Sequence, residues 1–180
     1  MKKPEIYVTQ SPEVNACALG FLGKKSVKLN SALVSGFTAG ELAFIIGHEL
    51  SHIKCNHTNL LVLTSAQNAF SGIPLVSYVL SLLYQFWSRK GEYTCDRGGL
   101  IACRDEKAAV SALAKLAVGP GLFKQLNLEE FLAQHMDIDQ DEVAKISEAV
   151  VTHPYTVKRI RAIVKYHDSD EYRRLRSIVK

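Results

Sequence analysis

Three features are missing from this sequence: a disulfide framework, an apolar signal core, and aromatic residues interleaved with basic ones. Each absence argues against a class of protein. The four cysteines form no CxxC pair and no dense framework, so we predict free thiols in a reducing compartment. Lys2 and Lys3 are followed by a polar stretch instead of an apolar signal core, so we expect a cytoplasmic protein, with membrane association as the alternative if the chain is part of a longer one. Basic residues are not interleaved with aromatic ones, and we therefore expect no nucleic-acid binding.

Charge is missing from one long stretch. No lysine, arginine, aspartate or glutamate occurs between Lys54 and Arg89. Polar residues nevertheless recur at helical spacing on both sides of residues 72–74, and two membrane spans would need about 40 residues. We therefore predict a soluble apolar helical hairpin at 60–88. The alternative is that its apolar face docks on a membrane surface or on a partner protein.

What is present fits one globular domain over residues 1–180. The chain is 47% hydrophobic, enough for a core at this length. Hydrophobic periodicity and turn residues predict an α+β fold that is mostly α, with a small N-terminal antiparallel sheet. The predicted strands are 6–8, 15–20 and 26–29, with a turn at 23–25. The predicted helices are 31–36, 41–57, 89–104, 106–118, 126–135, 142–151 and 156–167.

Two charged segments have ordinary explanations. Residues 157–180 contain eight basic and three acidic side chains, which we interpret as a solvated helix face; contact with anionic lipid or an acidic partner is the alternative. The acidic run at 137–141 resembles a calcium loop, but Glu142 replaces the glycine that such a loop needs. Helix capping by Asp139 or Asp141 explains that run better.

The run His48-Glu49-Leu50-Ser51-His52 is the strongest chemical signal in the chain. On a helix, His48 and His52 share one face and can bind one metal ion, usually Zn²⁺. Glu49 is rotated by about 100° and can take a proton from a water molecule without binding the metal. Two hydrogen-bonded core histidines beside a surface glutamate would explain the same short pattern.

A catalytic zinc needs a third protein ligand and one open position. The downstream candidates are Glu92, Asp96, His135, His153 and His167. Glu92 and Asp96 lie four residues apart on one predicted helix, so Glu92 can bind the metal while Asp96 orients an imidazole. A surface carboxylate near a helix N-terminus explains Glu92 equally well at this point.

Together, these motifs resemble a known family. The chain is similar to the gluzincin metallopeptidases, in the branch of the CAAX prenyl endopeptidases and HtpX heat-shock proteases. The resemblance covers residues 14–165 and rests on HELSH at 48–52, Glu92–Arg97, Thr152-His153-Pro154, Lys158-Arg159-Ile160 and Asn15–Ala18. It implies a zincin-like catalytic domain with a metal-binding helix pair, acting as a zinc endopeptidase.

The resemblance also implies a role for individual residues. His48, His52 and Glu92 would bind one zinc ion, Glu49 would act as general base and then acid, and Asp96 would orient a ligand histidine. His153 would stabilise the oxyanion, with Arg159 fixing that corner of the site. The edge strand would bind an extended polypeptide substrate through Asn15, Ala16, Cys17 and Ala18.

The sequence also departs from the family. Many relatives have transmembrane helices before and after the metal-binding helix; here the first pair is absent and residues 60–87 replace the second. Cys17 and Cys95 stand where other residues are usual, and we interpret both as small buried hydrophobic side chains. Two alternative functions follow: a zinc-containing peptide-binding or chaperone-like protein without catalysis, and the protease domain of a longer membrane-associated chain.

Overall fold

The computed structural model describes residues 3–21, 24–57, 74–134 and 156–178. The strands are β1 (Glu5–Thr9), β2 (Ala16–Phe21) and β3 (Lys24–Asn30). The helices are α1 (Ser31–Gly36), α2 (Ala39–Lys54), α3 (Pro74–Cys103), α4 (Glu106–Val118), α5 (Pro120–Phe123), α6 (Leu128–Gln134), α7 (Thr156–His167) and α8 (Asp170–Ile178). The fold is α+β and mostly helical, as predicted.

The sheet is mixed, so the predicted antiparallel sheet was wrong in part. Its strand order is β1-β3-β2: β2 pairs antiparallel with β3, whereas β1 pairs parallel with it. β3 takes the centre because it carries the buried side chains of Val27 and Leu29, while β1 is exposed almost throughout. Lys24 and Lys25 belong to β3 and not to the predicted turn.

Helix α2 begins at the capping box that the sequence predicts. The Glu41 amide donates to Thr38 Oγ1 at 3.4 Å, and the Thr38 amide donates to Glu41 Oε2 at 2.7 Å. Lys115 Nζ on α4 also bonds Glu41 Oε2 at 2.7 Å, and Ser111 donates to Oε1. Burial alone would raise the pKa of Glu41, but these bonds hold it below its ordinary value. One side chain thus starts α2 and joins it to α4.

Helix α3 is a single helix of 30 residues. The prediction of a separate helix at 89–104, preceded by a helical hairpin at 60–88, was therefore wrong where it placed a break near Arg89. No proline follows Pro74 within the helix, and its interior glycines are tolerated. The first arm of the predicted hairpin, residues 60–73, lies outside the described residues.

Glycines allow α2 and α3 to approach each other closely. A Cβ on Gly47 would lie 2.4 Å from the Cβ of Ala102, and a Cβ on Gly99 would lie 2.7 Å from the carbonyl oxygen of Phe44. These positions are next to His48 on α2 and one turn from Asp96 on α3. The close contact therefore brings the histidine face of α2 against the carboxylate face of α3.

The remaining helices cover this pair. α4 contributes the buried Leu113, and α7 contributes the buried Ile160 and Ile163. The predictions at 106–118 and 156–167 are confirmed, and α6 begins two residues later than predicted. Helix α8 lies in the basic tail and buries Tyr172 beneath charged, largely exposed neighbours. The predicted helix at 142–151 and the acidic run at 137–141 lie outside the described residues.

Candidate metal centre

The two histidines of α2 point their rings at one spot. His48 Nε2 and His52 Nε2 are 3.0 Å apart, as expected for side chains one helical turn apart. His48 is buried and His52 is half-buried. Two imidazole nitrogens at this distance have their lone pairs available to the same ion, or share one proton in its absence.

Glu92 on α3 completes a group of three donors. Its Oε1 lies 3.3 Å from His52 Nε2 and its Oε2 lies 3.6 Å from His48 Nε2. The side chain is buried, which excludes the surface-carboxylate interpretation of Glu92. A tetrahedral zinc with ligand bonds of about 2.0–2.2 Å spaces its donor atoms by about 3.3–3.6 Å, so these side chains fit a zinc ion with little movement.

His167, another candidate for the third ligand, contacts a different carboxylate. His167 Nδ1 faces Glu106 Oε2 at 3.1 Å, away from the group of three. His135 and His153 lie outside the described residues. Among the residues that the structure describes, Glu92 is therefore the carboxylate that joins the two histidines.

Asp96 lies one turn beyond Glu92 and contacts His48. Its Oδ1 is 2.9 Å from His48 Nδ1, the ring nitrogen that does not face Glu92. A histidine that binds a metal through Nε2 carries its proton on Nδ1 and donates it to such an acceptor. Asp96 thus contacts the ring nitrogen of His48 that points away from Glu92, and its orienting role stays a prediction.

Arg159 on α7 binds both carboxylates. Its Nε and Nη2 donate to the two oxygens of Asp96 at 2.8 and 2.6 Å, and its Nη1 lies 3.1 Å from Glu92 Oε2. Burial would raise the pKa of Asp96, but Arg159 and His48 hold it below its ordinary value. The guanidinium compensates two buried negative charges, so the structure places Arg159 behind the donors. Its predicted partner His153 lies outside the described residues.

Glu49 is half-buried on α2, next to His48 and rotated away from the direction of the donors. Burial raises the pKa of the Cys17 thiol on β2. The charge of Lys28 opposes this rise, and the charge of Glu49 adds to it. Glu49 and the β2 edge thus border the same region.

The predicted substrate-binding segment lies at the edge of the sheet. Ala16, Cys17 and Ala18 form the start of β2, and Asn15 precedes it, with its carbonyl oxygen accepting from the Asn30 amide at 3.0 Å. Within the described residues β2 has a strand neighbour on one side only, namely β3. Its other edge can pair with an extended backbone.

Sequence reasoning missed His57. Its Nδ1 lies 3.1 Å from His52 Nδ1 and 3.6 Å from the sulfur of Cys95, and its ring packs edge-on against Trp87. Burial lowers the pKa of His57, as does the charge of the neighbouring His52. α2 ends at Lys54, three residues earlier than predicted, and this early end allows His57 to turn back. The signal was Asn56, a residue type that tolerates the left-handed backbone needed there.

All four cysteines are free thiols, as predicted: Cys17, Cys55, Cys95 and Cys103. None of the helices within the described ranges combines the length and the apolar character that a membrane span requires.

Sequence comparisons show which known proteins this chain is similar to. The sequence model of peptidase family M48 matches residues 1–167. The chain is 33% identical to the plastoglobule-localized metallopeptidase 48 (chloroplastic) of Arabidopsis thaliana over 97% of its length and 55% of that protein. It is 28% identical to a protease HtpX homolog of Helicobacter pylori over 64% of its length and 47% of that protein. It is 24% identical to protease HtpX of Shewanella loihica over 91% of its length and 68% of that protein.

The chain spans about half the length of the first two of these relatives. No solved structure matches it.

Proposed function

The chain belongs to the metalloproteases of peptidase family M48, and from this premise we propose that it is a zinc-dependent endopeptidase with a zincin-like catalytic domain. The observation that carries the proposal is the group formed by His48 Nε2, His52 Nε2 and a Glu92 oxygen, with separations of 3.0–3.6 Å. Two imidazoles and one carboxylate are a known donor set of catalytic zinc sites, which leave the fourth position open.

When bound there, zinc would supply Lewis-acid chemistry that polarises the scissile carbonyl and lowers the pKa of water, so that a hydroxide nucleophile is available at neutral pH. His48, His52 and Glu92 would hold the ion. Asp96 and Arg159 would keep His48 and Glu92 oriented and would balance the buried negative charge, because Arg159 contacts both carboxylates.

Glu49 would perform the proton transfers. It follows His48 directly and borders the region between α2 and β2, so its carboxylate can take a proton from the attacking water and return it to the leaving amine. Its half-buried position keeps it accessible to solvent and substrate.

His153 would stabilise the negative charge on the carbonyl oxygen during attack. This assignment follows from the family resemblance alone, because His153 lies outside the described residues. One such donor is worth about 3–4 kcal/mol in the transition state.

The substrate would be a polypeptide in extended form. Its backbone would pair with the open edge of β2 at Ala16–Ala18, which gives binding without strong sequence selectivity. β2 packs against α2, the helix that carries His48 and His52, so we expect a paired strand to run near the metal centre.

The first half of α3 supports a second contact. Tyr78, Leu83 and Phe86 are each more than half exposed on a segment without charged residues before Arg89. We include this face, in the stretch 60–88, as a docking surface for a membrane or a partner protein. Cytoplasmic location stays a prediction that cell fractionation would test.

The test of the proposed function is Glu49→Gln, compared with wild type and with Glu129→Gln on the exposed face of α6. We expect Glu49→Gln to keep one zinc ion per chain and to lose about 10²–10⁴-fold in the cleavage of unfolded casein. Glu129→Gln should cleave like wild type.

Equal cleavage by wild type and Glu49→Gln would contradict the role of Glu49. Stoichiometric zinc with retention of casein and no turnover in the wild type would replace the proposal by a peptide-binding, chaperone-like function.

A further inference from the structure

The two histidines of the metal centre are held by different chemical groups. The Nδ1 of His48 faces a carboxylate, Asp96, at 2.9 Å. The Nδ1 of His52 faces another imidazole, His57, at 3.1 Å. We propose that His57 is a positioning residue, which fixes the ring orientation and tautomer of the ligand His52 by accepting its Nδ1 proton. The inference rests on the proposed function, since it concerns the binding of the same zinc ion.

The proton positions are set by the metal-facing nitrogen. His52 Nε2 points at Glu92 and at His48 Nε2, so this nitrogen must be unprotonated to bind an ion. A neutral His52 then carries its proton on Nδ1 and donates it to His57 Nδ1. His57 in turn keeps its own proton on Nε2, so both rings stay neutral.

The chain has a built place for His57. Asn56 has a φ of 57°, which reverses the backbone after α2, and Lys25 Nζ bonds both Ile53 O and Asn56 Oδ1 at 3.1 and 3.0 Å. This turn folds His57 back onto the face of α2 that carries His52.

Helix α3 leaves room for the ring. A Cβ on Gly91 would lie 3.0 Å from His57 Cε1, so a larger residue at 91 would press on the imidazole. On another side the Trp87 ring contacts His57 edge-on, with centroids 4.7 Å apart. These two contacts from α3 therefore fix the ring that faces His52.

A second metal ion is the competing explanation, because donor atoms of His52, His57 and Cys95 lie within 4.8 Å of one another. Such an ion would need His52 to bind metal through both ring nitrogens at once. It would also need Cys95 to lose its proton in a fully buried position. A hydrogen bond requires neither change.

The experiment compares His57→Asn, His57→Gln and His57→Phe with wild type. An asparagine oxygen can occupy the place of Nδ1, a glutamine oxygen reaches the place of Nε2, and phenylalanine keeps the ring without an acceptor. His167→Phe is the matched control, since His167 pairs with Glu106 away from the centre. Zinc affinity is measured by competition with a chromophoric chelator, and the melting temperature is measured with and without zinc.

We expect zinc affinity to fall about 10–100-fold in His57→Phe and His57→Gln, as for the loss of other partners of metal ligands. His57→Asn should stay within a few-fold of wild type, and His167→Phe should match it. The zinc-induced rise in melting temperature should shrink in the same order. If His57→Phe fails to fold, the comparison of His57→Asn with His57→Gln decides the matter.

Wild-type zinc affinity in His57→Phe or His57→Gln would overturn the inference, as would an equal loss in His57→Asn. Two zinc ions per wild-type chain, with one lost in His57→Phe, would make His57 a ligand instead. These results leave the proposed function intact. A wild-type chain that binds no zinc would overturn both.

Discussion

The two halves of α3 differ in which side chains they expose and which they bury, although they form one continuous helix. Before Lys90 the helix exposes large apolar side chains, and Leu83 is 59% exposed. After it, the helix buries Glu92, Asp96 and Leu100, with Leu100 fully buried. A continuous helix can thus combine an open apolar face with a tightly packed functional face.

The difference follows from what each half can bring close. Gly98 and Gly99 let the second half contact α2 at backbone distance, and this contact places Glu92 opposite the two histidines. The first half carries bulky side chains, several of them largely exposed, and its Trp87 packs edge-on against His57. We therefore expect substitutions to be costly in the second half and tolerated in the first.

The largest effect should come from Asp96→Asn. This change leaves the buried Arg159 with Glu92 as its remaining carboxylate partner, and breaking a buried charge pair costs about 3–5 kcal/mol. We expect the free energy of unfolding of the metal-free protein to fall by about 3 kcal/mol in urea titrations, because Glu92 still compensates part of the charge.

The double variant Asp96→Asn with Arg159→Gln is the matched control. Because the double variant no longer carries the uncompensated charge, its loss of unfolding free energy should be smaller than the sum of the losses in the two single variants. Additive losses would show that Asp96 and Arg159 are not coupled.

Gly99→Ala should have the next largest effect. The new Cβ would lie 2.7 Å from the Phe44 carbonyl oxygen and 2.8 Å from its ring, so α2 and α3 must separate. Overpacking of this kind costs about 1–3 kcal/mol, and zinc binding should weaken because the donors are drawn apart.

Gly121→Ala serves as the reference for this variant, since a Cβ at 121 meets nothing within 4 Å. Its unfolding free energy should stay within about 0.5 kcal/mol of wild type. A comparable loss in both variants would mean that the glycine contact does not hold the helices together.

The smallest effect is expected for Leu83→Ala in the exposed half. This substitution should change the unfolding free energy by less than about 0.5 kcal/mol. Leu100→Ala, the same substitution in the buried half, should lower it by about 2–5 kcal/mol. Thermal and urea unfolding of the two variants would measure the contrast directly. Similar costs for both would remove the distinction between the halves.

Local signals in the sequence were sufficient for several features. The capping box at Thr38 and Glu41 predicted where α2 begins, and the four-residue spacings predicted that His48 and His52, like Glu92 and Asp96, share helix faces. These features depend on residues within one turn of each other, so a single sequence contains what is needed.

Features that depend on distant contacts were missed. The parallel pairing of β1 depends on β3 taking the centre of the sheet, and the role of His57 depends on room that Gly91 leaves on another helix. In an isolated helix, Gly98 and Gly99 would only lower helix stability. Their role becomes visible in the close contacts that they allow with Ser51 and Phe44 on α2. No periodicity within one segment reports such contacts.

The position of Arg159 late in the chain affects when the buried carboxylates can be compensated during synthesis. The guanidinium follows Asp96 by 63 residues, so at about 5–20 residues per second a nascent chain carries both carboxylates for about 3–13 s before Arg159 has been added. During that interval Glu92 and Asp96 repel each other, and the ligand helices lack the group that holds them in register. The arrangement of Glu92, Asp96 and Arg159 can therefore form only after the chain has been synthesised as far as α7.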